Sequence, residues 1–296
     1  MKRAKRALRT SIELGCLFVL LLSAFPALAQ QRKVREYKLH EPEDRGAPFS
    51  LMLGPDHTAY ILQPRRDGNW ILSEVRGWWQ DHPSERGIAV EGFSARDAVN
   101  TIHQMDIALT PDGRDLLTIL SATLRVAPDD PNPMEMLVEL IPLDSFQVTA
   151  TQHMRSLGMR GNLRAVLDPA GQLLVSSAVP PAEPTAGDAP YVTWFQVALP
   201  DMKAHLMCSF QASAQGAADP KDEQAACGAS LSQTGYAALP DIDKALQLAQ
   251  PPEPPTPPAV EVTAKDRVHT AAAAIDGKAF TLVVVNGVIL QIFSAQ

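Results

Sequence analysis

Short apolar segments alternate with turn signals along most of this 296-residue chain. Three of the turns contain proline, in the phrases GPDH, TPDG and DPAG, with Pro55, Pro111 and Pro169 spaced by 56 and 58 residues. Proline presets the backbone φ angle for a tight turn, and Asp and Gly favour the positions beside it. Apolar runs of strand length flank each turn. Each phrase therefore predicts two strands and their connection.

The same spacing extends to the second half of the repeat. Residues 137–150 resemble residues 194–207, and Asp144 and Asp201 in these segments are 57 residues apart. Proline-rich stretches, VAPDDPNP and VPPAEPTAGDAP, precede the two segments, and proline stops strands from extending. The pattern predicts a unit of strand, proline turn, strand, long loop, strand, Asp-containing turn and strand.

The first and last units are variants of this pattern. Asp67-Gly68 separates two strand-like runs in the first unit, and Asp276-Gly277 forms a similar turn in the last unit. Asn286-Gly287, between FTLVVV and VILQIF, is the strongest hairpin signal in the chain. A buried helix or membrane segment at 283–293 is the alternative, but the segment is too short for a span and rich in β-branched residues.

A period of about 57 residues with four strands per unit predicts an all-β fold, a β-propeller of four-stranded blades. A lone four-stranded sheet cannot bury both faces, whereas sheets stacked around an axis bury them and protect their edges. The turn phrases resemble the blades of bacterial secreted β-propeller repeat proteins of the YVTN and WD40-like type. The resemblance covers 48–80, 103–154 and 162–210, and 268–294 in part, without a Trp-Asp or Gly-His blade signature. The alternative architecture is a β-sandwich with long loops.

The two ends of the chain carry further predictions. Basic residues precede the apolar stretch LGCLFVLLLSAF, and ALA at 27–29 fits a signal-peptide cleavage site. We expect a signal peptide at 1–29, with an uncleaved anchor as the alternative, and a single propeller-like domain at 30–296. The segment at 34–41 is expected to complete the last blade. Because no later apolar run reaches membrane-spanning length, we expect a protein of the periplasm or the extracellular space with no stable membrane span.

The charge balance disfavours a nucleic-acid partner. The whole chain has a formal net charge of −7, and residues 1–29 hold five basic residues and one acidic residue, so the mature chain carries −11. A chain this acidic is a poor candidate for binding the phosphate backbone of nucleic acids.

Two cysteines remain after the signal peptide, Cys208 and Cys227, and they are nineteen residues apart. In an oxidising compartment this pair predicts one disulfide, with two free thiols or part of a zinc site as the alternatives. The disulfide would pin a small, polar loop at 208–227. Further along, the proline-rich segment at 249–258 predicts an extended spacer, with a ligand for a proline-binding module as the alternative.

Known reactive motifs are scarce in this sequence. The sequence contains no nucleophile elbow, zinc-protease motif, phosphate-binding loop or dinucleotide fingerprint. Histidines occur about once per unit, but their registers differ, so we predict neither a shared metal site nor a cofactor. These four histidines are His57, His103, His153 and His205.

Four residues are candidates for binding. Trp78 and Trp79 can stack on sugars or anchor a partner when exposed, and they fill the gap between sheets when buried. Arg65 and Arg66 can hold an anionic group, with a solvated turn as the alternative. Together with the lack of a catalytic set, these residues favour an exported non-catalytic binding or scaffold protein with an envelope or secreted protein partner. The alternatives are a carbohydrate-binding protein or, as the propeller resemblance implies, a lactonase-like hydrolase or quinone-dependent dehydrogenase.

Overall fold

The computed structural model describes residues 31–40, 47–65, 69–93, 98–124, 134–168, 170–179, 191–211, 227 and 263–294. Within these ranges the chain forms sixteen β-strands and one short 3-10 turn, Met154–Leu157. The strands build four antiparallel sheets of four strands each. The predicted all-β class is therefore confirmed.

Three of the sheets are built from consecutive strands. The first sheet contains β2 (Ser50–Leu53), β3 (Ala59–Pro64), β4 (Trp70–Arg76) and β5 (Ser84–Val90). The second contains β6 (Ala98–Leu109), β7 (Asp115–Leu124), β8 (Met134–Pro142) and β9 (Ala150–His153). The third contains β10 (Asn162–Leu167), β11 (Leu173–Val179), β12 (Tyr191–Ala198) and β13 (Lys203–Gln211).

The last sheet combines the two ends of the chain. It contains β14 (Val268–Ile275), β15 (Lys278–Val285), β16 (Ile289–Ser294) and the N-terminal strand β1 (Arg32–Lys38). β1 runs antiparallel to β16, with Arg32 opposite Ser294 and Lys38 opposite Ile289. The pairing expected for the segment at 34–41 is therefore observed, and it begins two residues earlier than predicted.

The proline phrases connect the first and second strands of their sheets. The backbone N–H of the fourth residue of each phrase donates to the carbonyl of its first residue: His57 to Gly54, Gly113 to Thr110, and Gly171 to Asp168. Pro169 itself lies outside the described residues. The first unit is longer than predicted, because its fourth strand, β5, lies beyond residue 80.

Both predicted hairpins of the last sheet are observed. Asp276 and Gly277 connect β14 to β15, and the turn between β15 and β16 begins at Asn286 and Gly287. All four have positive φ angles, between 50° and 75°, which Asn, Asp and Gly tolerate best. A Cβ at Gly287 would also meet the side-chain oxygen of Gln63 on β3, which would have to move aside.

The sheets pack face to face, and apolar side chains fill the space between them. First strands of neighbouring sheets lie side by side, β14 with β2 and β2 with β6, while β10 packs against β7 and β8. Ile61, Leu282 and Ile292 pack between the last and first sheets. Tyr60, Leu72 and Leu116 pack between the first and second sheets. Ile119, Val138 and Leu163 pack between the second and third sheets.

The third and last sheets are also buried on their other faces. Trp194 and Phe210 are buried on the third sheet, in a cluster separate from the one that faces the second sheet. Val283 and Phe293 form a corresponding cluster on the last sheet. Burial of both faces is typical of a sheet that lies within a layered stack.

Polar side chains also connect neighbouring sheets. The hydroxyl of Ser121 on β7 donates to the carbonyl of Leu163 on β10 at 3.1 Å. Across the preceding interface, the guanidinium of Arg86 on β5 donates to the carbonyl of Leu143, after β8, at 3.2 Å. The interface between the last and first sheets contains a bond of 2.8 Å from the Tyr37 hydroxyl to Glu85.

Several predicted segments lie outside the described residues. These are the signal peptide at 1–29, most of the loop at 208–227 and the proline-rich spacer at 249–258. Within the described ranges, no helix has the length and apolar character needed to cross a membrane.

Candidate functional site

The tryptophan pair lies between the first and last sheets. Trp78 is 1% exposed, and its indole nitrogen donates to the carbonyl of His57 at 2.6 Å. Trp79 is partly exposed and packs edge-on against Trp78, with ring centroids 5.5 Å apart. Phe280 of the last sheet also packs edge-on against Trp78, with ring centroids 6.5 Å apart. Trp78 therefore fills the gap between two sheets, which was one of the two predicted alternatives, and neither face of its ring is open to a ligand.

The arginine pair lies at the end of β3. Arg65 is partly exposed, and its backbone N–H donates to the carbonyl of Asn69 at 2.7 Å, which closes the β3–β4 connection. Arg66 lies outside the described residues. Anion binding at this turn stays a prediction.

The predicted disulfide is present. Cys208 on β13 is bonded to Cys227, and their Cα atoms are 5.3 Å apart. Cys227 is fully buried and belongs to the same apolar cluster as Trp194 and Phe210. The bond therefore fastens a later part of the chain to the third sheet.

The four histidines that recur along the sequence occupy different places in their sheets. His57 lies in a proline turn, His103 lies on the first strand of the second sheet, and His153 and His205 lie on the fourth strands of two sheets. Among the described residues, no three His, Cys, Asp or Glu side chains are grouped so that they would hold a metal ion.

A group of polar side chains lies where the second and third sheets meet. We call it the polar cluster, and it consists of His103, Gln104, Asp106, Thr123 and Arg164. Its origin is a bulge in β6, where the register with β7 shifts between Ile102 and Gln104, so that His103 is an extra residue. Bulges redirect side chains and often occur beside functional sites.

Gln104 connects the two sheets within the polar cluster. Its side-chain nitrogen donates to the carbonyl of Ala165 on β10 at 2.6 Å, and its side-chain oxygen accepts from the Ala165 N–H at 2.9 Å. The same nitrogen donates to Asp106 Oδ2 at 2.7 Å. The Gln104 amide therefore makes the two bonds to Ala165 that a neighbouring strand would make, and it also holds one carboxylate oxygen of Asp106 in place.

His103 is held by a second set of bonds. Its Nε2 lies 2.6 Å from the hydroxyl oxygen of Thr123 on β7. Its backbone carbonyl accepts a hydrogen bond from the guanidinium of Arg164 on β10. These contacts hold the His103 side chain against β7 and its backbone against β10.

Burial shifts the pKa values of Asp106 and His103 in opposite directions. Desolvation raises the pKa of Asp106, and the hydrogen bond from Gln104 and the charge of Arg164 oppose this rise. Desolvation lowers the pKa of His103, and the charge of Arg164 lowers it further. Both effects disfavour the charged form of the side chain, as burial does in general. The His103 imidazole is therefore held in its neutral form to a lower pH than a free histidine.

Each of these two side chains keeps one unused polar atom. Asp106 Oδ1 and His103 Nδ1 have no hydrogen-bond partner within the part of the chain that the structure describes. Both residues are partly exposed. In the sequence, His103 stands out only as one of four recurring histidines, and nothing marks Asp106 or Arg164. The bulge beside them exists only in the pairing of β6 with β7.

The second notable surface is the side of the third sheet that ends at β13, which we call the β13 edge. β13 is nine residues long and has one strand neighbour among the described strands, β12. Leu206, opposite Phe195, is 65% exposed. Lys203 is its only residue with a full formal charge. A register shift bends β13 near Met207 and leaves paired stretches on both sides.

In each of the other three sheets, the edge strand opposite β6, β2 or β14 is shorter than β13 or more charged; we call these three strands and β13 the outer strands. β9 has four residues. β5 has seven, and its Glu85 is bonded to Tyr37 and His40 from the N-terminal segment. β1 also has seven residues, four of which are basic. Short length and charge are the usual protections of an edge strand, so the β13 edge is the least protected of the four.

Comparisons with known proteins add little to this description. No protein-family model and no curated protein match the sequence. Among solved structures, the chain is similar to a protein described as Kuenenia stuttgartiensis Hydrazine Synthase, with 12% sequence identity. The match covers 59% of this chain and 68% of that chain, with a TM-score of 0.26. A similarity this low carries no argument about fold or activity.

Proposed function

We propose that this protein is an exported, non-catalytic scaffold of propeller architecture that binds an envelope protein through the β13 edge. The observation that carries the proposal is the nine-residue edge strand with one formal charge and an exposed leucine. Residues 1–29 and the disulfide support export, since disulfides persist in oxidising compartments.

Three features support the propeller architecture. The sheets have four strands each and pack face to face, and the first strands β14, β2 and β6 lie side by side. The third and last sheets are buried on both faces. β1 and β16 place the two ends of the described chain in one sheet.

Strand addition is the binding mode that fits this edge. A free edge presents backbone N–H and C=O groups that pair with an extended segment of another protein. Main-chain hydrogen bonds supply affinity in such complexes, and side chains on alternate positions supply specificity. Here the exposed Leu206 beside Phe195 offers an apolar contact, so we expect the partner segment to carry an apolar residue at the matching position.

The test uses the mature chain, residues 30–296, with its disulfide formed, as bait for chemical cross-linking in native envelope extract. Leu206→Lys is the test variant, and Val34→Lys on the outer strand β1 is the matched control, since Val34 is also exposed. We expect the parent and the control to capture one dominant partner in near-equal amount and Leu206→Lys to lose it. Hydrogen exchange of the complex should show new protection of the β13 backbone.

Three outcomes would overturn the proposal. One is an empty pull-down, and another is a partner that Leu206→Lys captures as well as the parent does. The third is a bait that sedimentation shows to be a dimer on its own and that Leu206→Lys converts to a monomer, because the β13 edge would then pair with a second copy.

A further inference from the structure

A histidine and three glutamates meet where the first and second sheets adjoin, away from the β13 edge. We call this group the His153 bridge, and it consists of Glu91, Glu135, Glu139 and His153. We propose that the bridge is a pH-dependent connection between the two sheets, in which protonation of His153 joins Glu91, the residue after β5, to Glu135 on β8. Acidification then tightens this junction.

The imidazole of His153 lies between two carboxylates. Its Nε2 is 3.0 Å from Glu91 Oε1, and its Nδ1 is 3.9 Å from Glu135 Oε2. A neutral imidazole has one N–H, whereas a protonated imidazole has two. When Nε2 donates to Glu91, the neutral ring carries a lone pair on Nδ1, the nitrogen that approaches Glu135. Only the protonated ring is therefore complementary in charge to both carboxylates.

The charge balance of the bridge depends on His153. Within the described residues, none of the three carboxylates is paired with a lysine or arginine side chain. The 3-10 turn that follows His153 contains Arg155, which contacts Glu135 through its backbone N–H. β9 itself contains no other charged residue. His153 is therefore the one member of the bridge that can become a cation.

Glu139 favours the same direction. It is 1% exposed, and it accepts hydrogen bonds from the Glu91 N–H at 2.9 Å and the Thr118 hydroxyl at 3.1 Å. Burial raises the pKa of Glu139, these two hydrogen bonds oppose the rise, and the charges of Glu91 and His153 have smaller, opposite effects. A raised folded-state pKa means that stability is present at low pH and is lost as the pH rises through that pKa.

The bridge also reaches the interface with the third sheet. Glu135 Oε1 accepts the backbone N–H of Arg155 at 3.1 Å, which holds the 3-10 turn against β8. Met154, the first residue of that turn, is fully buried among the side chains that pack between the second and third sheets. A protonated His153 therefore holds both β9 and this turn against the end of β5.

The test measures hydrogen exchange of the mature chain by NMR at about pH 8 and about pH 5.5, on either side of the range in which histidine gains its proton. The reporters are the amides of Glu91 and Arg155, because both donate to carboxylates of the bridge. Protection factors remove the intrinsic effect of pH on exchange. The test variant is His153→Gln, which cannot gain a charge. His82→Gln, at an exposed position before β5, is the matched control.

We expect the protection of both reporter amides in the parent to rise about three- to tenfold from the higher to the lower pH, as befits a charge-assisted contact that is partly exposed. His82→Gln should show the same rise, and His153→Gln should lose most of it. Glu91→Gln is a second test variant. Its side chain is 51% exposed, so the substitution leaves the core intact, and we expect it to reduce the rise at Arg155 as His153→Gln does.

The proposal is overturned if the reporter amides of the parent are equally protected at both pH values. It is also overturned if His153→Gln keeps the full rise, because the pH dependence would then belong to Glu139 alone, or if His82→Gln loses the rise as well. β13 belongs to the third sheet and contains none of these residues, so this test and the pull-down fail separately.

Discussion

The side-chain amide of Gln104 is hydrogen-bonded to both the N–H and the carbonyl of Ala165 on the neighbouring sheet. Ala165 lies on β10, the first strand of its sheet, which among the described strands pairs with β11 alone. A single glutamine therefore supplies both bonds that a missing strand would have made to this residue, and it joins the second sheet to the third.

Replacing Gln104 should lower the free energy of unfolding substantially. Gln104→Ala leaves the buried N–H and C=O of Ala165 without partners, and each unsatisfied buried group costs about 1–3 kcal/mol, so we expect a loss of about 2–4 kcal/mol in the free energy of unfolding. Urea denaturation measures this loss. Gln291→Ala is the control, because Gln291 bonds to the exposed Glu36 at 3.2 Å. Equal effects of the two substitutions would contradict this account.

A second prediction concerns the buried carboxylate Glu74. Its side chain is 2% exposed and is paired with Arg86 and Arg76, and Arg86 also lies 4.2 Å above the ring of Phe146. Removing one partner of a buried charge is strongly destabilising. We expect Arg86→Met to cost about 2–3 kcal/mol in urea denaturation, with Arg76 still present.

Arg76→Met is the matched comparison. Its side chain is 54% exposed, against 40% for Arg86. No contact of Arg76 with the second sheet is observed among the described residues, so its loss should cost under about 1 kcal/mol. If Arg76→Met proved the more damaging change, the contacts of Arg86 with Leu143 and Phe146 would not be what stabilises this interface.

The two turn aspartates should shape the pH dependence of stability in opposite ways. Asp168 is buried, and its Oδ2 has no hydrogen-bond partner among the residues that the structure describes. Burial raises its pKa, although backbone N–H groups of the turn oppose the rise. A folded-state pKa above the unfolded value means that stability is lost as the pH rises through the folded-state pKa. We expect Asp168→Asn to be more stable than the parent at neutral pH, with a gain over the parent that grows as the pH rises.

Asp112, in the equivalent turn of the second sheet, is the control. Hydrogen bonds from the Thr110 hydroxyl and the Arg114 backbone lower its pKa, so it stabilises the protein above its unfolded-state pKa and loses this effect as the pH falls. Asp112→Asn should therefore change the slope in the opposite direction. Urea denaturation between about pH 3 and about pH 7 measures both, and slopes that change in the same direction would contradict the assignment.

Local sequence signals predicted much of the fold because local chemistry decides those features. The turn at Asn286 and Gly287 requires positive φ angles, and few other residue types tolerate them. Pro55 and Pro111 mark turns for a comparable reason. The fourth strand of the first sheet was missed, because SERGIAV mixes charges and glycine and becomes a strand only by pairing with β4.

The polar cluster and the role of the tryptophans depend on tertiary structure. Gln104 and Ala165 are 61 residues apart, and their contact follows from the packing of two sheets. The neighbouring bulge at His103 exists only relative to β7. From sequence alone, Trp78 and Trp79 could stack on a ligand or pack between sheets. Trp78 is buried because the last sheet packs against it.

The attachment of the N-terminal strand provides the last prediction. Within the described part of the chain, β1 pairs with one strand, β16, and Glu85 of the first sheet contacts it from the side. Glu85 Oε2 accepts from the Tyr37 hydroxyl at 2.8 Å and lies 2.7 Å from His40 Nδ1. Burial and Glu85 raise the pKa of Tyr37 to about 12, so the phenol stays protonated and donates throughout the physiological range.

Glu85→Ala should therefore loosen β1 without unfolding the other sheets. Loss of these bonds costs about 1–2 kcal/mol, which corresponds to roughly 5–30-fold faster hydrogen exchange of the β1 amides, while the amides of β7 keep their protection. Glu36→Ala is the control, because Glu36 lies on the same strand and its bridge to Lys33 is half exposed, so it should have little effect. Equal exchange of β1 in the parent and in Glu85→Ala would mean that pairing with β16 alone holds the strand, and that the contacts with the first sheet add no stability there.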